Sequence, residues 1–544
     1  MRDIDTTSWG LAALSGVLQV LVFPLPGQYW LCWVALAPLI VAILGARSRD
    51  VVLLDASGSD LRPLRLRSGF LIGYLSGVIW YGGTCYWVYH SMHAYGRLSA
   101  PVSAGILVLF CLYLGLYHGL FGFLVALAAR RRAAGIGRAL LLAPFLWVAV
   151  ELARARITGF PWDLLGTAQV NNIPLTRLAT VTGVYGLSFE IALINTAFAA
   201  AFLVPRSKRV TLFLAAVGTA GMLQAGVFVN PRPAVSDHIA VLVQENIPIL
   251  DASDWTPDFF QKTIVSLSTI SVSGALDAQR TQGIPGLVVW PESPAPFFAT
   301  DPNFHRDVSA VAKAANAYIV AGSLGMKYVG DPKRPPELYN SAALIGPNGD
   351  WVSRYDKVHL VPFGEYVPYK SLFVFAEKLT REVGDFTPGT DRRVLDLGAY
   401  RIGAFICYES VFPDEIREFA ARGAQVLVNI SNDGWFGASG APSQHLNMAR
   451  MRAIENRRWL LRATNTGITA SIDPYGRVVA RAPANERVEV QAPYALISST
   501  TFYTRHGDWF AWLCVIISIA GLALRVRASA SGRMIWSKDP QTSV

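Results

Sequence analysis

Long apolar runs with few internal charges fill the first 230 residues of the chain and return near its end. A helix needs about 20 apolar residues to cross the hydrocarbon core of a bilayer. As buried helices of a soluble protein, so many runs in series would need an implausibly large core, and we therefore interpret them as membrane spans. The pattern predicts eight spans: Trp9–Phe23, Tyr29–Ala46, Gly69–His90, Pro101–Ala129, Ala139–Ala153, Thr176–Val204, Val210–Val229 and Asp508–Leu524.

Residues 235–495 follow a different pattern, in which short apolar runs alternate with amphipathic segments. Apolar runs such as His238–Gln244 and Arg401–Cys407 predict buried strands, whereas Phe259–Gln279 and His445–Arg458 predict helices. Buried strands separated by helices are typical of an α/β domain in which helices cover a sheet core.

Basic residues cluster in alternate loops between the predicted spans. The largest clusters lie at Arg47–Arg67, Arg130–Arg138 and Arg206–Arg209, and the other loops hold fewer. Under the positive-inside rule, both termini are cytoplasmic and the large domain lies on the opposite side of the membrane. We therefore predict a seven-helix transmembrane domain at 1–230, the large domain at 235–495, the eighth helix at 505–527 and a cytoplasmic tail at 528–544.

The first span is expected to stay in the protein. A cleaved signal peptide is the alternative, because Met1-Arg2 precedes an apolar run. However, no clear small-x-small cleavage site follows, and Asp3 and Asp5 lie in the leading segment. These features favour an uncleaved helix.

The composition adds two constraints. Hydrophobic residues make up 52% of the 544 residues, and the net charge is +10, but the basic residues sit in loops beside spans rather than on a nucleic-acid-binding surface. Four of the five cysteines lie in predicted spans, and only Cys407 lies in the large domain. Domains outside the cytoplasm usually pair their cysteines, so this odd thiol suggests chemistry, with an inert buried cysteine as the alternative.

Three polar residues stand where predicted strands of the large domain end. Glu292 follows GLVVWP, Lys357 follows WVSRYD, and Cys407 ends RIGAFIC. In α/β sheets, functional sites gather where strands end. A carboxylate can take the proton of a thiol, and an ammonium can hold the oxyanion of a tetrahedral intermediate. The three types suffice for acyl transfer, although composition does not show that they converge.

Around these residues the sequence resembles the nitrilase superfamily. The matching segments are WPES, RYDKVHLVPFGEYVP and ICYES, in that order, followed by VNISNDGWFG at 428–437 and a long segment at 444–470. With eight predicted spans, nearly the whole chain is similar to a membrane-bound branch of that superfamily, the apolipoprotein N-acyltransferase family.

This resemblance implies an α/β nitrilase-like α-β-β-α sandwich domain carried on an eight-helix transmembrane domain. It implies that Cys407 is the nucleophile, that Glu292 is the general base for the thiol and later for the incoming amine, and that Lys357 stabilises the oxyanion.

Supporting roles follow from the same resemblance. Glu365 would orient Lys357 or assist the amine step, and Tyr408 and Glu409 would shape the pocket. Trp255 and Trp435 match aromatic residues of mobile loops that border the lipid entrance. No cofactor and no metal are implied.

The implied reaction moves a fatty acyl chain from a phospholipid, chiefly phosphatidylethanolamine, to a Cys407 thioester. The acyl group then passes to the N-terminal α-amine of S-diacylglyceryl-cysteine apolipoproteins. The implied setting is the bacterial inner membrane, where the protein is a multi-pass monomer with its catalytic domain on the periplasmic side and binds no nucleic acid. Apolar loops at Phe297–Phe298 and Phe373–Phe375 are expected to exclude water, with ordinary core packing as the alternative.

Two other functions stay open at this point. One is a membrane-tethered nitrilase-type amidase that hydrolyses small amides, and the other is a non-catalytic lipid-binding or scaffold protein. The eight predicted spans favour acyl transfer over the first, because a small-amide hydrolase needs no lipid platform. The intact Glu292, Lys357 and Cys407 argue against the second.

Two titratable residues fall inside predicted spans, where polar groups are costly. Glu190 either pairs with Arg177, reaches the interface or has a function. His118 is expected to be packed or hydrogen-bonded rather than catalytic.

Overall fold

The computed structural model describes residues 4–45, 63–129, 133–204, 206–250, 254–282, 286–293, 297–328, 335–367 and 385–535. Helices dominate the chain before residue 229. They are α1 (Thr6–Val22), α2 (Ala37–Leu44), α3 (Leu66–Thr84), α4 (Trp87–His90), α5 (Ala100–Ala129), α6 (Ala133–Ala153), α7 (Ile173–Thr176), α8 (Ala179–Thr182), α9 (Val184–Leu203) and α10 (Arg206–Ala225).

Several of these helices are apolar along their length. Among the described residues, four helical segments are long and apolar enough to cross a membrane: Ala100–Ala129, Gly135–Thr158, Val184–Leu203 and Ser207–Phe228. Three further segments are apolar but shorter: Thr6–Val22, Tyr29–Leu44 and Trp509–Ala523. The number of eight spans therefore stays a prediction. Half of the basic residues in the three clusters used to orient the chain, those at 46–62 and 130–132, lie outside the described residues.

Two of the predicted spans are interrupted. The run Gly69–His90 is divided between α3 and α4. The run Thr176–Val204 is divided at Gly183, which has φ of 66° between α8 and α9. Glycine adopts this conformation without the steric cost that other residues incur, and a side chain there would also meet the ring of Tyr503. Hydrophobicity alone does not reveal such breaks.

The two titratable residues of the spans differ in their surroundings. The ring of His118 is buried, and its Nε2 lies 3.1 Å from Oε1 of Gln19. It also packs against Trp80 and Trp147, as the sequence suggested. Glu190 is half-buried on α9, and no ion pair joins it to Arg177 in the part of the chain that the structure describes.

Two six-stranded sheets follow the helical region. The first has the order β12-β1-β2-β3-β4-β5 and the second the order β11-β10-β9-β8-β7-β6. Parallel pairs, β1–β2–β3 and β7–β8–β9, form the centre of each sheet. The strands are β1 (His238–Gln244), β2 (Leu287–Val289), β3 (Tyr318–Lys327), β4 (Glu337–Ile345), β5 (Trp351–Asp356), β6 (Leu395–Asp396), β7 (Arg401–Ile406), β8 (Val426–Ser431), β9 (Leu460–Thr464), β10 (Ala470–Ile472), β11 (Val478–Arg481) and β12 (Val488–Tyr494).

The sheets stack face to face, with helices on both outer faces. On β1, Ala240 and Leu242 point into the core between the sheets, whereas Val241 and Val243 pack under helices on the outer face. Side chains alternate between the faces of a strand, so a strand covered on both sides is apolar throughout. The helices are α11 (Pro257–Gln282) and α12 (Pro302–Ala315) on the first sheet, with α13 (Pro413–Ala421) and α14 (Ala441–Asn456) on the second.

The sequence predicted most of these elements within a few residues. It missed β9, because WLLRAT follows α14 without a glycine or proline, the turn being made by Arg457 at φ of 49°. It also missed β12, which pairs antiparallel with β1 from His238 to Gln244.

The sheets and the apolar helices contact each other closely. Gln444 of α14 donates to the Pro24 carbonyl and accepts from Trp162 Nε1. Arg156 forms ion pairs with Asp414 and, at 2.7 Å, with Asp508. Two helices follow the sheets in the described part of the chain: α15 (Phe502–His506) and α16 (Trp509–Ile535).

Candidate active site

Glu292, Lys357 and Cys407 meet in the core between the two sheets. Glu292 lies just after β2, Lys357 directly after β5 and Cys407 directly after β7. The Lys357 ammonium is 3.7 Å from Oε1 of Glu292, and both charges act on the Cys407 thiol. All three are buried; Lys357 is 1% exposed and Cys407 8%. Three residues that are far apart in the sequence thus form one cluster of base, cation and thiol.

A second carboxylate holds the ammonium more tightly than the first. Lys357 Nζ donates to Oε1 of Glu365 at 2.9 Å. The other oxygen of Glu365 accepts from the Val361 main-chain N–H at 2.8 Å, which fixes the carboxylate in its own turn. Glu365 therefore anchors the Lys357 ammonium through one hydrogen bond. The other hydrogens of the ammonium are not used by this contact.

Two further donors hold the carboxylate of Glu292. The Asn340 side chain on β4 donates at 2.7 Å to Glu292 Oε1 and at 2.8 Å to Glu365 Oε1. The main-chain N–H of Asn432 donates at 2.9 Å to Glu292 Oε2. Buried carboxylates need such partners because an unpaired buried charge is costly. Both oxygens of Glu292 are thus oriented before any substrate arrives.

The backbone at Cys407 is strained. Cys407 has φ of 48°, in the left-handed region that residues other than glycine rarely adopt. Such a conformation costs about 1–3 kcal/mol and persists only where the surroundings enforce it. It turns the chain sharply from β7 into a short 3₁₀ helix, Cys407–Val411, and leaves the sulfur at the turn.

Burial and charge set the protonation of the cluster. Burial raises the pKa of the Cys407 thiol, the Glu292 charge raises it further, and Lys357 opposes both. Burial also raises the pKa of Glu292, against the influence of Lys357. Burial would lower the pKa of Lys357, but Glu365 and Glu292 outweigh it and raise that pKa above its usual value. The resting thiol is therefore protonated, and it needs a base to become a nucleophile.

Glu409 joins the loop of Lys357 to the loop of Cys407. Its Oε1 accepts from the main-chain N–H groups of Val358 and His359, and from the hydroxyl of Tyr355. Its Oε2 accepts from the N–H of Ile406 at 2.8 Å. With four donors on one carboxylate, Glu409 shapes the site through the backbone rather than by facing a substrate.

The aromatic residues named from the sequence have separate positions. Tyr408 extends toward the apolar helices, and its hydroxyl donates to the Gly159 carbonyl at 2.9 Å. Trp435 packs edge-on against Tyr95, and its carbonyl accepts from Ser91. Trp255 packs against Phe259 and Phe297, in the helix layer over the first sheet.

At Phe297 the structure favours core packing over a water-excluding loop. Phe297 is 1% exposed and stacks on Phe304 at 4.9 Å, so it belongs to the core over the first sheet. Phe298 is half-buried. Phe373–Phe375 lie outside the described residues.

Comparison with known proteins identifies the family. Residues 15–197 match the apolipoprotein N-acyltransferase N-terminal domain, and residues 270–498 match the carbon-nitrogen hydrolase family. The apolipoprotein N-acyltransferase of Geobacter metallireducens is 37% identical over 540 residues, which cover 96% of this chain and 97% of that protein. The chain belongs to the apolipoprotein N-acyltransferase family. The family member of Pseudomonas aeruginosa is 32% identical over 548 residues, covering 96% of this chain and 98% of that one.

Membership makes the chain an enzyme, an acyltransferase within the carbon-nitrogen hydrolase superfamily. It favours this function over a small-amide hydrolase and over a non-catalytic scaffold. The crystal structure of a carbon-nitrogen hydrolase from Helicobacter pylori aligns with 51% of this chain and 94% of that one, at 17% identity and a TM-score of 0.35.

Sequence reasoning did not find every residue that contacts the cluster of Glu292, Lys357 and Cys407. It gave no role to Asn340 or Asn432, although Asn432 lies in a segment that matches the family. The available signal was a polar residue inside an apolar strand, as in ELYNSAALI around Asn340. A buried polar group must find a partner, and here the partners are two carboxylates.

Proposed function

We propose that this enzyme transfers a fatty acyl chain from a phospholipid to Cys407 and then to the N-terminal α-amine of diacylglyceryl-cysteine apolipoproteins. The observation that carries the proposal is the position of the nucleophile loop. Tyr408, Val411 and Phe412 belong to the same apolar cluster as the helices of the first 230 residues. The Cys407 thiol therefore lies beside an apolar surface that can hold a lipid chain. A site for small water-soluble amides would not need such a surface.

In the first step, Glu292 takes the proton of Cys407 as the sulfur attacks the ester carbonyl carbon of the lipid. Lys357 stabilises the negative oxygen of the tetrahedral intermediate. The ester C–O bond then breaks, and Glu292 returns the proton to the departing alcohol of the lysophospholipid. The products are a Cys407 thioester and a free lysophospholipid.

In the second step, the α-amine of the apolipoprotein attacks the thioester carbonyl. Glu292 accepts a proton from the amine, and the C–S bond breaks as the amide forms. The proton passes to the leaving sulfur, which regenerates the Cys407 thiol. The thioester divides one difficult transfer into two easier ones, because sulfur is both a good nucleophile and a good leaving group.

We further propose the setting that the resemblance implied. The protein is a multi-pass monomer of the bacterial inner membrane with eight spans, and its catalytic domain faces the periplasm. Phosphatidylethanolamine is the preferred acyl donor. Support for this setting comes from the apolar helices and from the relatives, which are bacterial apolipoprotein N-acyltransferases.

The proposal is tested by the mass of the intact protein. The purified full chain in detergent is mixed with phosphatidylethanolamine of defined chains, and we expect the mass of one acyl group on the Cys407 peptide together with released lysophospholipid. Cys407→Ala is the control and should gain nothing. A lipidated peptide with diacylglyceryl-cysteine at its N-terminus should then remove the adduct and gain the same acyl mass. An unmodified native protein that instead releases ammonia from small amides would refute the proposal in favour of the amidase.

A further inference from the structure

A second cluster of buried polar groups lies behind the nucleophile, outside the triad. It consists of Ser410, Asp433, His445 and Arg462, none of which is more than 2% exposed. Arg462 Nη2 donates to both oxygens of Asp433, at 2.8 and 3.0 Å. The ring of His445 lies between this ion pair and the main chain of Cys407, so it links a rigid charged pair to the nucleophile.

Each ring nitrogen of His445 faces an acceptor. Its Nε2 is 3.0 Å from the Cys407 carbonyl oxygen and 2.7 Å from Ser410 Oγ. A carbonyl oxygen only accepts hydrogen bonds, so with the hydrogen on Nε2 the ring donates to Cys407. On the other side, Nδ1 is 2.9 Å from Asp433 Oδ1 and 3.0 Å from Arg462 Nη2. In this tautomer Nδ1 accepts from Arg462, which also donates to the Asp433 carboxylate.

The ring is neutral and packs against two aromatic side chains. Burial lowers the pKa of His445, and the charge of Arg462 lowers it further, against Asp433. Trp162, from the helical region, stacks on the ring with centroids 5.8 Å apart, and Phe436 packs edge-on against it. These contacts leave the ring little freedom to turn away from Cys407.

We propose that His445 is a positioning residue for the nucleophile: its Nε2–H holds the Cys407 carbonyl, which fixes the left-handed backbone there and aims the sulfur at the lipid ester. His445 touches no reacting atom and acts only through Cys407. The inference rests on the proposed function for its substrate, because the step that it serves is the acylation of Cys407.

Two amide substitutions test the hydrogen bond directly. The amide nitrogen of His445→Gln reaches about as far as Nε2 and can still donate to the Cys407 carbonyl. The amide nitrogen of His445→Asn reaches only to the place of Nδ1. A misplacement of about 1 Å near a reacting centre can cost on the order of a hundredfold in rate. We therefore expect the Gln variant to acylate Cys407 within tenfold of the native rate, and the Asn variant to fall about a hundredfold, with similar melting temperatures.

Two measurements separate this inference from the proposed function. Acylation by phosphatidylethanolamine is followed by intact mass, and alkylation of Cys407 by iodoacetamide reports the sulfur without any lipid. If native protein is alkylated but never acylated, the proposed function fails, while the Gln and Asn variants still decide the role of His445 through alkylation. His118→Asn, at a histidine buried among the apolar helices, is the matched control and should keep native rates of both reactions.

Several outcomes would overturn the role of His445. Equal losses in the Gln and Asn variants, or native rates in both, would show that the Nε2 donor is not what matters. A loss in Ser410→Ala as large as in the Asn variant would show that Nε2 accepts from that hydroxyl instead. If His445→Asn does not fold, His445→Met, which also lacks the donor, takes its place. If that too fails to fold while the Gln variant folds, His445 is structural and the proposal is wrong.

Discussion

Asn340 donates hydrogen bonds to both Glu292 and Glu365, and its replacement gives the sharpest prediction. In Asn340→Leu, a side chain of similar size no longer donates to Glu292 and Glu365, which it contacts at 2.7 and 2.8 Å. A hydrogen bond to a charged group contributes about 1.5–3 kcal/mol, and one pKa unit corresponds to about 1.4 kcal/mol. Because Asn340 stabilises the ionised form, its loss should raise the pKa of Glu292 by about one to two units, with the Asn432 N–H still in place.

The pH dependence of Cys407 acylation measures this change. Glu292 accepts a proton only when it is ionised, so a higher pKa moves the acid limb of the rate profile to higher pH, by about one to two units. Asn456→Leu is the control, since Asn456 is equally buried but donates to a carbonyl, that of Arg452. It should lower the melting temperature and leave the limb in place. A folded Asn340→Leu enzyme whose limb stays, or moves to lower pH, would refute this account of the base.

Four substitutions test the other parts of the site by the same acylation assay. Cys407→Ser should lose turnover by several orders of magnitude, because an alkoxide is far harder to form than a thiolate, and near-native turnover would contradict this. Lys357→Ala should cost about a hundredfold or more, as for other oxyanion donors; a loss below tenfold would remove that role. Glu292→Gln should form no acyl-enzyme, so an accumulated thioester would reassign the base. Gly322→Ala should slow acylation about a hundredfold and lower the melting temperature, because its methyl group would clash with the main chain beside Glu292, and an unchanged rate in the folded variant would show that this backbone is not held.

The sequence alone was enough to predict the candidate site residues that lie at the ends of strands. Glu292, Lys357 and Cys407 each follow a predicted strand. β2 and β7 are central parallel strands, and two antiparallel pairings turn β5 back into the direction of β3, so the three strand ends meet at one edge of the core. Asn340 was not predictable in this way, because nothing in an apolar strand indicates which partner its polar residue will meet. The partner depends on the register of β4 against β5 and on the turn that carries Glu365.

The position of His445 shows a second kind of feature that the sequence does not predict. It lies on α14, where the sequence predicted a helix, and a histidine on a buried helix face is usually an ordinary packed residue. Its contact with the Cys407 carbonyl arises only because the 3₁₀ turn after β7 lies under α14. Such a contact depends on how two elements pack, and local sequence patterns do not encode that packing.

In the proposed mechanism, Lys357 needs a strong ion pair and Glu292 must stay basic, and these two requirements conflict. An ammonium bound tightly to Glu292 would lower the pKa of that carboxylate and make it a poor base for the thiol. Here Lys357 lies 2.9 Å from Glu365 and 3.7 Å from Glu292, so Glu365 takes the strong ion pair and Glu292 remains basic. Proton transfer from Cys407 to Glu292 then only moves the negative charge from oxygen to sulfur, beside the same ammonium. Since the net charge of the buried cluster does not change, the thiolate forms without the cost of a new charge in a dry site.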